Sequence, residues 1–245
     1  MTPETYLAHL NRDAARMAEL AEQGLDGPVP ACPGWTVGEA LVHTGEVYSH
    51  KVACMRLAAQ PQSEDDWDHG PVDGQDAVAW FRERLAELTT ELTTRGADGA
   101  TYTWYEPDQT VGFWFRRMAQ ETAVHRVDVE SGFDAVSPVD DDLAVDGIDE
   151  VLDCFLSYQN EDVGPDGPGR GTVAVRTGDH IWRTTLTADE AVLSREPGPA
   201  DAVVSGEPSE LLLWLWGRRP DSAVVREGDE ALLAGFRERL RVVTQ

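Results

Sequence analysis

The stretch Ala119-Gln120-Glu121-Thr122-Ala123-Val124-His125-Arg126-Val127-Asp128 decides how this chain is read. It has no helix breaker. At about 100° per residue, Glu121, His125 and Asp128 fall within one narrow stripe of an α-helix. A carboxylate and an imidazole one turn apart can reach a single metal ion. Asp128, a turn further on, is placed to orient His125 or to carry a proton, as carboxylates behind a metal-bound imidazole do. Arg117, one turn before Glu121, either holds a substrate carboxylate or neutralises Glu121. The pattern does not say which face of this helix points inward.

A third ligand must come from elsewhere. His43 stands in an otherwise apolar helix, Glu39-Ala40-Leu41-Val42-His43-Thr44-Gly45-Glu46, and His50 follows on the same stripe. Spacing leaves the choice between them open. Two His and one Glu is a set that catalytic Zn²⁺ uses, with an open position for water or substrate. The same set also suits Ni²⁺ or Fe²⁺.

Around this stretch the first half reads as helical. Tyr6, Leu10, Ala14, Met17 and Ala21 recur at helical spacing in a first helix from Pro3 to about Gly24. Val29-Pro30-Ala31-Cys32-Pro33-Gly34-Trp35 is irregular. Thr36-Val37-Gly38-Glu39 fits a capping box and starts a second helix that runs to about Ala59. An acidic loop spans 61–74. A third helix follows over 75–95, with Val78, Phe81, Leu85, Leu88 and Leu92 on one face, and a fourth over 111–132. Four amphipathic helices predict a bundle over 1–138.

The second half, 139–245, is mixed. An acidic linker leads to a helix over 148–158, and a Gly/Pro stretch over 164–171 precedes a run of strands. Residues 172–177 and 181–186 alternate about Gly178-Asp179, which predicts a hairpin. Short strands follow at 191–194 and 202–205, then a helix at 208–216, a last strand at 223–226 and a closing helix at 229–243. The fold class is α+β: a four-helix bundle followed by a small α+β domain.

Composition narrows the function. The 245 residues carry a formal net charge of −25. That argues against nucleic acid or an anionic membrane as a partner, since both need a basic face. Lys51 is the only lysine; every other cationic side chain is arginine. No apolar run approaches the ~20 residues of a membrane span, and the N-terminus lacks the features of a signal peptide. Cys32, Cys54 and Cys154 form no disulfide framework and no CxxC pair, which reads as a reducing cytoplasm. Cys32 is read as a packing residue. No phosphate loop, GxSxG elbow or dinucleotide fingerprint is present.

Taken in order, three groups of segments resemble the mycothiol-dependent maleylpyruvate isomerase family. They are Val29-Pro30-Ala31-Cys32-Pro33-Gly34-Trp35-Thr36-Val37 with Leu41-Val42-His43-Thr44-Gly45-Glu46; the helix from Arg117 to Asp128; and, towards the C-terminus, Asp179-His180-Ile181-Trp182, Ala200-Asp201-Ala202-Val203-Val204-Ser205-Gly206 and Leu213-Trp214-Leu215-Trp216-Gly217-Arg218-Arg219. The resemblance covers essentially the whole chain. It implies a DinB-like metal-binding bundle and a sterol-carrier-like C-terminal domain that helps close the thiol site. It also implies a Zn²⁺ site of His43, Glu121 and His125 with Asp128 beside it, which favours His43 over His50.

The implied cofactors are a divalent metal and mycothiol, the low-molecular-weight thiol of actinobacteria. The implied reaction is attack of the thiolate on a small electrophile, giving cis–trans isomerisation or S-transfer. The family's substrate-binding arginine has candidates in Arg82 and Arg84. Two alternatives stand beside this reading: a metal-dependent hydrolase that activates water, and a non-catalytic small-molecule-binding protein. A monomer is expected.

Overall fold

A computed structural model describes residues 1–72, 75–159 and 167–244. The last two positions of the expected acidic loop, and residues 164–166 of the expected Gly/Pro stretch, lie outside the described residues. The chain divides into two compact units, Met1–Ser137 and Pro138–Gln245.

Among the described residues, the first unit is built on four α-helices, α1 (Pro3–Ala21), α2 (Val37–Leu57), α3 (Ala77–Arg95) and α4 (Val111–Ser131), with one short 3-10 turn at Glu64–Asp66. Their starts follow from local chemistry. Thr2 caps α1 and leaves Pro3 in the first turn, where its missing N–H costs nothing. At α2 the capping box forms as expected: the Glu39 amide donates to Thr36 Oγ1 at 3.2 Å, and the Thr36 amide donates to Glu39 Oε2 at 2.6 Å. Asp76 caps α3 through the Ala79 amide at 2.9 Å.

The expected stripe of α1, Tyr6, Leu10, Ala14, Met17 and Ala21, is buried throughout. On α3 the buried face is Val78, Trp80, Phe81, Leu88 and Leu92, with Leu85 at its margin. α4 is different. Almost every residue from Val111 to Glu130 is buried, charged ones included. No single inward face exists to be read from its periodicity, because the helix is enclosed nearly all round.

Gly45 sets how closely α2 and α3 approach. A methyl group there would run into the six-membered ring of Trp80. Trp80 cannot retreat, since it is 1% exposed and its indole N–H donates to Asp68 Oδ2 at 2.9 Å. Gly45→Ala is therefore expected to destabilise the protein by about 1–3 kcal/mol through overpacking. Thermal unfolding checks this, and an unchanged midpoint would mean that the two helices separate freely.

The second unit opens with α5 (Asp141–Glu150), which continues without a break into a π-helical turn, Val151–Ser157. This corrects the expectation of a linker before residue 148: the helix starts at Asp141 and already buries Leu143 and Ala144. Among the described residues, five strands form one sheet: β1 (Gly171–Thr177), β2 (His180–Leu186), β3 (Ala191–Ser194), β4 (Ala202–Ser205) and β5 (Val225–Gly228), in the order β3-β2-β1-β4-β5.

The hairpin forms about Gly178, whose φ of +52° suits glycine in the tight turn. Only β1 and β4 are parallel; the other pairs are antiparallel. α6 (Pro208–Leu215) and α7 (Glu230–Val243) complete the unit. From α7 the buried Arg239 donates to the carbonyls of Pro168, Gly167, Glu190 and Thr187, tying loops that carry no regular pairing of their own.

Candidate active site

α4 and α2 bring together three of the expected ligands. Glu121 Oε1 lies 3.3 Å from His125 Nε2 and 3.6 Å from His43 Nε2. One donor atom from each of the three falls within 4.8 Å of the others. His43 and His125 meet edge to face, with ring centroids 5.0 Å apart. His43 is the open member of the set: its side chain is 37% exposed, against 9% for His125.

The spacing along α4 produces its half of this geometry. Residues four apart meet on one face, so Glu121 and His125 meet; residues three apart meet as well, so His125 and Asp128 do. The His125 ring donates through Nδ1 to Asp128 Oδ2 at 2.9 Å, which turns Nε2 towards Glu121. Asp128 is 1% exposed. Arg117 forms an ion pair with Glu121, so of its two expected roles the structure displays charge neutralisation.

These contacts set the charge states. Burial pushes Glu121 up, but Arg117, His125 and His43 together hold it well below the ordinary carboxylate range. Burial works against the charged form of His125, yet Asp128 and Glu121 outweigh it and carry the imidazole up to about 9. A histidine with a raised folded-state pKa stabilises the fold fully below the unfolded value, near 6.5, and loses that contribution as pH rises through the folded value. The melting temperature of chelator-treated protein is therefore expected to fall as pH rises from 6.5 to about 9. The fall should shrink in His125→Gln; an equal slope in that variant would place the responsible charge elsewhere.

Two residues of the irregular segment before α2 complete the surroundings. That segment folds on itself, with the Val29 amide donating to the Trp35 carbonyl at 2.9 Å and the Trp35 amide to the Cys32 carbonyl at 2.9 Å. Gly34 makes the turn possible at φ +91°. The Trp35 ring then lies 4.9 Å from His43 and stacks at 6.0 Å on His125. Cys32, read from sequence as packing, places its thiol 3.6 Å from Asp128 Oδ2, and it is only half-buried. Neither position carried a sequence signal beyond its place in the quoted segment.

The remaining candidates go elsewhere. His50 Nδ1 faces Lys51 Nζ at 2.9 Å, and its ring meets Trp67 edge to face at 4.8 Å. Burial and the neighbouring Lys51 push it down to about 4. Arg82 pairs with Glu22 at 2.7 Å, and Arg84 pairs with Asp68 at 2.7 Å. Cys54 and Cys154 are buried.

Comparison with known proteins identifies the family and the fold. A family model described as the mycothiol maleylpyruvate isomerase N-terminal domain matches residues 7–130, and the corresponding C-terminal domain model matches residues 142–235. The chain belongs to the mycothiol maleylpyruvate isomerase family. The crystal structure of a mycothiol-dependent maleylpyruvate isomerase superimposes with a TM-score of 0.64 at 16% identity, over 95% of this chain and 96% of that one. A histidine-to-alanine mutant of that enzyme superimposes with a TM-score of 0.63 at 15% identity, with the same coverage. These likenesses establish a shared fold. No curated protein sequence matches. Within the family fold, no described helix is long and apolar enough to cross a membrane.

Proposed function

We propose that this protein is a metal- and thiol-dependent isomerase acting on a small cis-configured electrophile of the maleylpyruvate type. One observation carries the reading: His43, Glu121 and His125 converge while Asp128 holds the back of His125. Two ligands each about 2.1 Å from one ion stand roughly 3.4 Å apart along a tetrahedral edge. The separations of 3.3 and 3.6 Å fit that edge, and the N₂O donor set suits Zn²⁺.

Three residues would hold the metal: His43 and His125 through Nε2, and Glu121 through Oε1. The metal, when bound, would stabilise the thiolate of mycothiol at neutral pH, supplying a nucleophile that adds reversibly to a cis double bond and so permits rotation. The chain's own residues prepare the site. Asp128 accepts the Nδ1 proton, which leaves Nε2 free to ligate and fixes the ring plane. Arg117 keeps Glu121 anionic despite its burial. Trp35 covers the two imidazoles on one side, while the exposure of His43 leaves an approach for thiol and substrate.

The test is elemental analysis of protein purified without chelator, followed by assay of maleylpyruvate isomerisation with and without mycothiol. About one equivalent of zinc and thiol-dependent turnover are expected. Isomerisation that needs metal but no thiol would overturn the thiol half of the reading, and metal-dependent cleavage of the substrate by water in place of isomerisation would transfer it to a hydrolase. Absence of metal after reconstitution would overturn it.

A further inference from the structure

Lys51 is the only lysine in a chain that elsewhere uses arginine for every cationic side chain. It stands eight residues past His43 on α2, about 12 Å along the axis. Long helical side chains lean towards the N-terminus, which here is the direction of His43. Its ammonium lies 5.4 Å from the ring centroid of Trp114, a fully buried residue, and 2.9 Å from His50 Nδ1.

Among the described residues, no carboxylate lies within ion-pair distance of this ammonium. Burial pushes the Lys51 amine below its ordinary range; Cys54 and, less strongly, Glu121 favour its charged form, but Glu121 is already matched by Arg117. Drawing a cation towards the interior without a counter-ion is costly. Of the chain's 45 acidic residues, none of those described forms an ion pair with it. His50 gives no negative charge: it is neutral, and its Nδ1 accepts one of the three ammonium protons. The face of Trp114 favours a cation without neutralising it. The remaining donors of Lys51 have no acceptor among the described residues.

We infer that Lys51 is a substrate-anchoring residue that binds a carboxylate of the electrophile, with His50 and Trp114 fixing the ammonium. This rests on the proposed isomerase reading and deepens it by naming the residue that would hold the substrate's carboxylate, set apart from the carbon that reacts at the His43 end. A compact ammonium suits one oxygen pair approached from a single direction, whereas a guanidinium would need room for its planar fork.

The test uses maleate, a cis dicarboxylate, and its dimethyl ester as probes. Tryptophan fluorescence would follow each titration, on protein as purified and again after chelation. Wild type is expected to bind maleate at least tenfold more tightly than the diester, and Lys51→Met to lose that preference. Lys51→Arg should retain part of it. Folded Lys51→Met that binds maleate as wild type does would overturn the proposal. Should Lys51→Met fail to fold, equal binding of maleate and diester by wild type would overturn it instead. The titration after chelation removes the metal's part and the comparison with Lys51→Met isolates the lysine's, so a failure of the metal reading, seen as absent zinc, is distinguishable from a failure of this one.

Discussion

Replacing His125 with alanine is expected to abolish zinc retention and thiol-dependent isomerisation together. Losing a partner behind a ligand typically costs ten- to a hundredfold in metal affinity, and losing the ligand itself costs more. An affinity loss above about a hundredfold is therefore expected, read by competition with a chromogenic chelator. His125 is the most constrained of the three candidate ligands, held at Nδ1 by Asp128 and at Nε2 by Glu121. His43→Ala should lose metal as well. His50→Ala should keep its zinc, because the His50 ring is turned to Lys51 and Trp67. Full turnover by His125→Ala in the presence of mycothiol would sink the metal assignment outright.

The contrast between His43 and His50 shows how far the sequence reaches. Both lie on one stripe of α2, and helical periodicity treats them alike. The resemblance to the family favoured His43, but the physical reason for its geometry is tertiary. Asp68, bonded to both the Trp80 indole and Arg84, takes a hydrogen bond from neither histidine, and its amide is fixed by Ser49 Oγ at 2.7 Å. That seats Trp67 against His50. The carboxylate–imidazole stripe of α4 was legible because it is local, set by spacings of three and four. Cys32 and Trp35 were not, because a seven-residue loop reveals its direction only through the turn at Gly34.

The same division holds for the fold. Caps and periodicity located α1 to α4 to within a few residues, since those signals act over one or two turns. The start of α5 was missed because Asp140, Asp141 and Asp142 were read as a linker. Acidic residues are favourable at a helix N-terminus, where they meet the unpaired amides and the positive end of the dipole. The last strand was placed two residues early. Asp221 explains the slip: it accepts from the Trp214 indole at 2.8 Å and from Arg226 at 2.5 Å, holding Asp221–Ala223 in a tight turn and delaying extended structure until Val225.

Arg126→Met is expected to have the largest effect on stability of any single change away from the candidate site. Arg126 is 3% exposed and donates to Glu130 Oε2 at 2.6 Å and to the Ser137 carbonyl and hydroxyl at 2.8 and 2.6 Å. Its Nε lies 3.8 Å from Asp13 Oδ1 on α1. Asp13 and Glu130 are both almost wholly buried. Without the guanidinium, Glu130 keeps Arg16 at 3.3 Å and the Ser137 donors, and Asp13 keeps Arg12 at 3.1 Å. Neither of those arginines is itself buried, so two interior carboxylates would share exposed counter-ions.

Breaking a buried pair from one side costs about 3–5 kcal/mol, a large part of the roughly 5–15 kcal/mol that holds a domain folded. Urea unfolding would read the loss. Arg126→Met combined with Glu130→Leu should cost less than Arg126→Met alone, because the pair's own attraction largely offsets its desolvation, whereas an orphaned charge has nothing to offset it. A double variant less stable than the single would mean that α1 and α4 depend on these charges for geometry rather than for balance.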